Sequence, residues 1–356
     1  MSPDKPVIVP DVSIVIANHN GADALMLTIP SLMNQIGVHV QEILLVDNQS
    51  TDDSIARVSQ AFPSVRIVST GSNRGPNVAR QLGIDQVNSP LVLVMDNDLV
   101  LSPEYISKLA NVFELHPESG AVSGKIRYYH QPDQVQYNGV DIHYIGEIRL
   151  HDPAARGTRR CTTVSAGAML VSREVVQRLG GFDPDYVFGW EDGDLAYRMS
   201  LAGNPCWIVS EANAFHQSKV RGLKWVKLQV RNRWWFLRKN YHARTFWLAL
   251  PAILLFQVAV GILLVIKGHG REFLAGTWEG WRNGRTLAQK RQSVQRWRRV
   301  SDRDLLCGDR FYVPQEVNRN LLARGLASLL FAVFSIYWLA IRLLIRVQFE
   351  LFTLVA

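Results

Sequence analysis

The sequence predicts an α/β domain built on a parallel sheet covered on both faces, followed by a basic, apolar, helical region. Three observations carry this. Short continuous apolar runs recur through the first half with helical segments between them. The charge balance reverses near residue 220. Two long uncharged runs stand in the second half. With 356 residues, 47% apolar and 20% charged, the chain can bury a large core and does not resemble a disordered one.

The first strand is predicted over residues 12–17 (VSIVIA), a β-branched run ending in Asn18-His19-Asn20-Gly21, with a helix over 22–35. Residues 42–47 (EILLVD) form the second strand, and Thr51 or Asp52 caps a helix reaching about residue 62. A short third strand spans 65–69. A helix over 76–87 starts with Pro76, which the first turn tolerates. The fourth strand, 91–95 (LVLVM), ends in Asp96-Asn97-Asp98. Ligands bind beyond the C-terminal ends of such strands, so the polar groups after strands one, two and four are the candidate ligand groups. From 120 to 152 the pattern weakens into strands and loops. Residues 163–171 then read as a strand with Ala166-Gly167-Ala168 in its middle, 173–179 as a short helix, Gly180-Gly181-Phe182-Asp183 as a turn, and 191–202 as a helix.

Residues 1–220 carry 16 Lys/Arg against 24 Asp/Glu, and residues 221–356 carry 23 against 7. An acidic half suits carboxylates acting on a metal or polar ligand. A basic half suits an anionic partner, either nucleic acid or a membrane surface. Residues 246–266 hold no charge over 21 positions, and a span needs ~20 apolar residues. A second apolar segment covers 326–347, broken by Arg342 and Arg346. Long apolar runs among basic residues favour membrane over nucleic acid. Basic residues flank 246–266 on both sides, and such residues favour the cytoplasmic face. That segment is therefore expected to re-enter or lie at the interface, with Pro251 as a bend, and Arg342 and Arg346 to share one face of an interfacial helix. The expected organisation is a domain over 1–240 and a membrane-associated region over 241–356, on the cytoplasmic face of the cell membrane; a soluble helical domain is the alternative. Cys161, Cys206 and Cys307 are odd in number and far apart, so neither a disulfide framework nor a CxxC metal site is expected. Residues 1–11 contain no apolar stretch, which predicts no ordinary secretory signal peptide.

Asp96-Asn97-Asp98 places two carboxylates after a buried strand, an arrangement suited to a hard cation such as Mg²⁺ or Mn²⁺ that also binds substrate phosphates. A solvated acidic turn would read the same way in isolation. Glu191-Asp192-Gly193-Asp194 puts three acids at a helix start, where the dipole favours them. They are either a well-capped acidic first turn or a general base at a site mouth. His216, after a predicted strand, would complete a metal site if the fold brings it to Asp98; a lone histidine is more often structural.

In their order along residues 11–240, these segments resemble the family-2 glycosyltransferases: VSIVIANHN, ILLVDNQSTDDS, NRGPNVARQLGI, VMDND, SAGAMLVSR and GGFDPDYVFGWEDGDLAYR. The likeness is strongest to bacterial rhamnosyltransferase-type members. It implies a GT-A fold, a Rossmann-like nucleotide-sugar domain. It also implies that Ala17, His19, Asp47, Asp96 and Asn97 bind the donor, that Asp98 and His216 hold a Mg²⁺ or Mn²⁺ ion, and that Asp192 is the general base with Glu191 the runner-up. The implied activity is inverting transfer of a sugar to a hydroxyl in cell-surface polysaccharide synthesis, with no covalent intermediate. Two departures stand out. The family's Pro-x-Tyr-Asn is Ala17-Asn18-His19-Asn20 here. Gln229-Val230-Arg231-Asn232-Arg233-Trp234 only loosely echoes the Gln-x-x-Arg-Trp of processive synthases, which argues against a polymerase. A membrane platform suits a lipid-linked, polyprenyl-diphosphate acceptor. Two alternatives are weighed. A polyprenyl-phosphate glycosyltransferase needs no base, since its acceptor is already ionised. A nucleotidyltransferase wants a Gly-rich basic loop after strand one, where this chain has none.

Overall fold

The computed structural model describes residues 11–217, 225–282, 284–312 and 321–353, excluding the side chains of 321–323, 326 and 346–353. The expected pairing of Arg346 with Arg342 on one face lies outside the described residues.

Four parallel strands come first: β1 (Asp11–Asn18), β2 (His39–Asp47), β3 (Arg66–Ser69) and β4 (Leu91–Asp96), laid out in the order β4-β1-β2-β3. Their side chains alternate between two cores. Val12, Ile14, Ile16, Leu45, Leu93 and Met95 face one, and Val15, Leu44, Val46, Val92 and Val94 face the other. The unbroken apolar runs are thus period-two strands buried on both faces. Helices α1 (Ala22–Met33) and α2 (Ser54–Ala61) cover the first face, and α3 (Pro76–Gln86) covers the second. Helix α1 buries Leu25, Thr28, Ile29 and Leu32, an i, i+3, i+4, i+7 stripe. It stops two residues earlier than the sequence predicts, because Gln35 turns its amide onto the carbonyls of Ser31 and Ser102 at 3.0 and 2.9 Å. Helix α3 lies so close to β1 that a Cβ on Gly83 would sit 2.1 Å from Val15.

Beyond β4 come β5 (Leu99–Leu101), α4 (Tyr105–Leu115), β6 (Ala121–Tyr128), β7 (Gln131–Tyr137), β8 (Val140–His143), β9 (Glu147–Leu150), β10 (Thr158–Cys161), β11 (Ala168–Ser172), α5 (Arg173–Arg178), α6 (Glu191–Leu201) and β12 (Cys206–His216). Strand β11 runs antiparallel between β4 and β6, and β12 and β10 extend the sheet past β6. Residues 163–167, expected as strand, form the approach to β11 instead. There the Gly167 carbonyl accepts from the Asp96 N–H at 2.9 Å and the Ala166 N–H donates to Asp192 at 3.1 Å.

The second half is helical: α7 (Val226–Asn240), α8 (Ala243–Ile266), α9 (Gly270–Arg282), α10 (Gly284–Trp297) and α11 (Asp302–Leu305), then a two-residue strand, β13 (Leu306–Cys307), pairing with β8, and a last helix, Leu321–Thr353. Helix α8 runs through Pro251 without a break, so the expected bend there does not interrupt it. Packing crosses residue 240. One core joins Ile142, Tyr144 and Tyr197 to Trp234, Phe246, Phe334 and Trp338, and Tyr144 stacks on Trp338 at 4.9 Å. The outer faces of α8 and the last helix expose Leu254, Val258 and Ile262, and Ile336, Leu339 and Leu343. Ala243–Ile266 and Ala327–Ile345 are each long and apolar enough to cross a membrane.

Candidate active site

The strand order turns back at β1, which lies between β4 and β2, and the polar strand ends gather there. Register sets Asn18 beside Asp47 and Ala17 beside Asp96. Asn18 is buried and ties the loops together. It accepts from the Asn97 amide at 2.7 Å and donates to Ser50 and Ser54, each at 3.1 Å. Gly21 is needed at this crossing, since a Cβ there would sit 2.1 Å from the Asn97 amide nitrogen. Asp47 accepts from the Ser50 N–H with both oxygens at 3.2 Å. The His19 ring lies 3.1 Å from the Asn48 carbonyl and 3.3 Å from the Asn73 amide. Ala17, His19, Asp47, Asp96 and Asn97 therefore line one edge of the sheet, with the Asn97 side chain turned inward to brace the Asp96–Asp98 turn.

Asp98 meets His216. Strand β12 pairs antiparallel with β5, so His216 stands opposite Leu99, and its Nε2 lies 3.2 Å from Asp98 Oδ2. The other ring nitrogen contacts Gln136 Oε1 at 2.8 Å. Asp98 Oδ1 is buried with no hydrogen-bond partner. Buried polar atoms nearly always find one, so this oxygen is poised for a ligand. Among the described residues no three His, Cys, Asp or Glu side chains converge on a metal position. Two protein ligands completed by substrate phosphate and water still suit Mg²⁺ or Mn²⁺.

The acidic helix start divides by role. Asp194 is fully buried and spent on structure, 2.9 Å from Arg198 and 2.8 Å from Lys239. Lys239 also pairs with Asp183 at 2.7 Å, and Lys290 reaches Asp183 and Asp185, so α7 and α10 clamp the loop before the acids. Although burial opposes ionisation, these lysines hold the Asp183 carboxyl well below its ordinary range. Asn232 of α7 donates to the carbonyls of Phe188 and Gly189 at 2.9 and 2.7 Å. Trp190 is thereby held at φ 69°, in the left-handed region that a bulky residue rarely adopts. Such strain persists only where its surroundings impose it, and here it sets the aim of the next two residues.

Those residues are Glu191 and Asp192. Asp192 is half-buried; its oxygens accept from the Ala166 and Gly193 N–H groups at 3.1 and 2.7 Å. Glu191 is buried, with Oε2 unpartnered. Burial and the neighbouring Asp192 anion push its carboxyl up to about 7, against the pull of Arg80. Arg80, on α3, is the residue the sequence did not single out. It is 3% exposed, bonds Asp96 and lies 3.6 Å from Glu191. Burial disfavours its charge, but Asp96, Glu191 and Asp192 hold it protonated. Arg80 thus joins the turn after β4 to the acidic start of α6. Its one sequence signal was a basic residue inside an otherwise uncharged helical stripe. Both acids open onto a cavity of about 590 Å³ that also reaches α7 and α8.

A pH prediction follows. The Glu191 carboxyl ionises near 4.5 in the unfolded chain and near 7 when folded. The folded state therefore binds the extra proton between those values, and this group's effect is to lower stability as pH rises through that window. Glu191→Gln is expected to melt above the wild type at pH 8, with the gap closed by pH 5. A variant melting below the wild type at pH 8 would mean that the Arg80 attraction outweighs burial.

Residues 13–180 match the model of glycosyl transferase family 2. The succinoglycan biosynthesis protein ExoO of Rhizobium meliloti is 36% identical over 110 residues, 31% of each chain. An N-acetylglucosaminyl-diphospho-decaprenol L-rhamnosyltransferase of Mycobacterium tuberculosis is 27% identical over 204 residues, 49% of this chain and 66% of that one. The chain thus spans less than two thirds of the length of these curated relatives. The crystal structure of GalNAc-T7 with UDP, GalNAc and Mn²⁺ superposes with a TM-score of 0.59 at 15% identity, covering 70% of this chain and 52% of that one. The fold is therefore GT-A, and residues 13–180 are similar to glycosyl transferase family 2.

Proposed function

We propose that this chain is an inverting glycosyltransferase that moves a sugar from a nucleotide-sugar to a hydroxyl of a lipid-linked glycan in cell-surface polysaccharide synthesis. The observation that carries the reading is the pairing of two unlike carboxylate sites. Asp98, with a buried unpartnered oxygen beside His216, suits phosphate-bound cation chemistry. Asp192, oriented by two backbone N–H groups at the cavity mouth, suits proton abstraction. Asp98 and His216 would hold a Mg²⁺ or Mn²⁺ ion, whose charge would offset that of the departing diphosphate. The edge from Ala17 and His19 to Asp47 receives the base and ribose, and Asp96, fixed by Arg80, faces the sugar. Asp192 takes the acceptor hydroxyl proton as the oxygen attacks the anomeric carbon, so one displacement inverts the centre. Arg80 is a positioning residue, acting through Asp96 and Glu191.

The relatives in succinoglycan and decaprenol-linked synthesis support the polysaccharide and lipid-linked parts of the reading. The apolar faces of α8 and the last helix support attachment of 241–356 to membrane, and the basic flanks support its cytoplasmic side. A base at the acceptor side favours a hydroxyl acceptor over an already ionised polyprenyl phosphate. The test is a panel of nucleotide-sugars scored by thermal stabilisation of the full chain with and without Mn²⁺, followed by transfer assays with the donors that stabilise it. Stabilisation by a nucleotide-sugar only when Mn²⁺ is present is the expected result. A panel in which none stabilises would remove the reading.

A further inference from the structure

We infer that the cavity beside Asp192 is a slot for the hydrocarbon part of an amphiphilic acceptor, which lies against α8. This rests on the reading of Asp192 as the residue that meets the acceptor hydroxyl. The cavity, about 590 Å³, is of the size that holds a small-molecule ligand. Its lining combines two chemistries. Glu191 and Asp192 line it, and so do Phe256, Val260 and Leu264 of α8. These three stand at i, i+4 and i+8 and so share one helix face. The opposite face of the same helix exposes Leu254, Val258 and Ile262. The slot and the surface best suited to a bilayer are therefore two sides of one helix of membrane length.

Arg233 and Gln257, which line the slot beside these residues, already have protein partners. Arg233 bonds the carbonyls of Gly146 and Ile145, lies 3.0 Å from Glu147, and donates to Gln257 at 2.9 Å. Gln257, a polar residue in the middle of an apolar helix, donates in turn to Thr277 at 2.9 Å. With that floor satisfied, the aliphatic wall is what remains for a ligand. A free sugar gains little from Val260 and Leu264, whereas a hydrocarbon gains in proportion to the apolar surface it covers there. The occupant that suits both parts of the lining carries a hydroxyl-bearing sugar joined through a diphosphate to an isoprenyl-like chain. A structural phospholipid would suit the apolar residues alone.

The test uses the full chain in phospholipid nanodiscs and a C15 isoprenyl diphosphate carrying a terminal diazirine, with crosslinked positions mapped by mass spectrometry. Labelling is expected at Phe256, Val260 or Leu264. Unlabelled isoprenyl diphosphate should compete for it, and excess phospholipid should not. Val260→Trp, which fills the slot, should lower labelling at least tenfold while nucleotide-sugar binding with Mn²⁺ is kept. If Val260→Trp loses donor binding through misfolding, Val260→Ser replaces it as the smaller polar probe, with the same drop expected. Asp192→Asn should label like the wild type although its transfer is lost. Labelling confined to Leu254, Val258 and Ile262, equal labelling in the slot variants, or full competition by phospholipid would overturn the inference. A wild type that binds no nucleotide-sugar would remove the transferase reading, and the labelling pattern would still decide the slot.

Discussion

Asp192→Asn is expected to leave donor affinity within a few-fold of wild type and to lower transfer by about 10²–10⁴-fold, roughly 3–5 kcal/mol of barrier. The carboxylate is held by N–H donors on each oxygen, from Ala166 at 3.1 Å and Gly193 at 2.7 Å. It faces the cavity and makes no ion pair among the described residues, so its basicity is available to an acceptor hydroxyl. Asparagine keeps the volume, can accept only one of the two backbone bonds, and cannot take a proton. The lost bond costs about 1 kcal/mol of stability, well short of unfolding the domain. Glu191 is the rival. Ionisation near 7 would suit a base, but the group is buried against Arg80, on the Asp96 side. Glu191→Gln is therefore expected to be the milder change. Single-turnover rates with calorimetric donor binding separate the two. A nearly active Asp192→Asn beside a dead Glu191→Gln would transfer the role, and activity in both would remove the acidic start of α6 from the chemistry.

Much of this site could be read from residue order because strand ends are where a parallel sheet binds ligands. The runs VSIVIA, EILLVD and LVLVM mark three adjacent strands, and the polar residues after them are brought together by register. What could not be read depended on contacts distant in sequence. Strand β5 is three residues long and leaves no periodic trace, yet its pairing with β12 is what carries His216 to Asp98. Arg80 carries no sequence signal beyond a basic residue on a helix; the packing of α3 on β1, tight at Gly83, is what sets it beside Asp96 and Glu191. The three acids after Trp190 read as one cluster, whereas burial against Lys239 and Arg198 separates Asp194 from the other two. The charge balance reverses near residue 220, but packing does not follow that change. Aromatic residues on both sides share one core, which charge patterning cannot reveal.

Asp98→Ala is expected to abolish the Mn²⁺-dependent part of donor binding, a loss on the order of 10²-fold, or about 2.7 kcal/mol. That magnitude sits within the range for contacts to charged groups. The reasoning starts from an unpaid cost within the fold. Asp98 Oδ1 is buried without a hydrogen-bond partner while Oδ2 meets His216, so a cation beside Oδ1 would satisfy it. A nucleotide diphosphate brought to the same place carries negative charge of its own. Without a cation, Asp98 repels it; with one, the two anions share a partner. Removing Asp98 therefore has opposite effects in the two conditions. Affinity falls with Mn²⁺ present and stays level or rises slightly with a chelator, a sign reversal that loss of folding cannot mimic. His216→Ala should weaken the Mn²⁺ dependence without reversing it, because the carboxylate remains. Titration calorimetry of the wild type and both variants with Mn²⁺ and with EDTA reads these affinities, and equal wild-type affinity in both would rule out a metal role for Asp98.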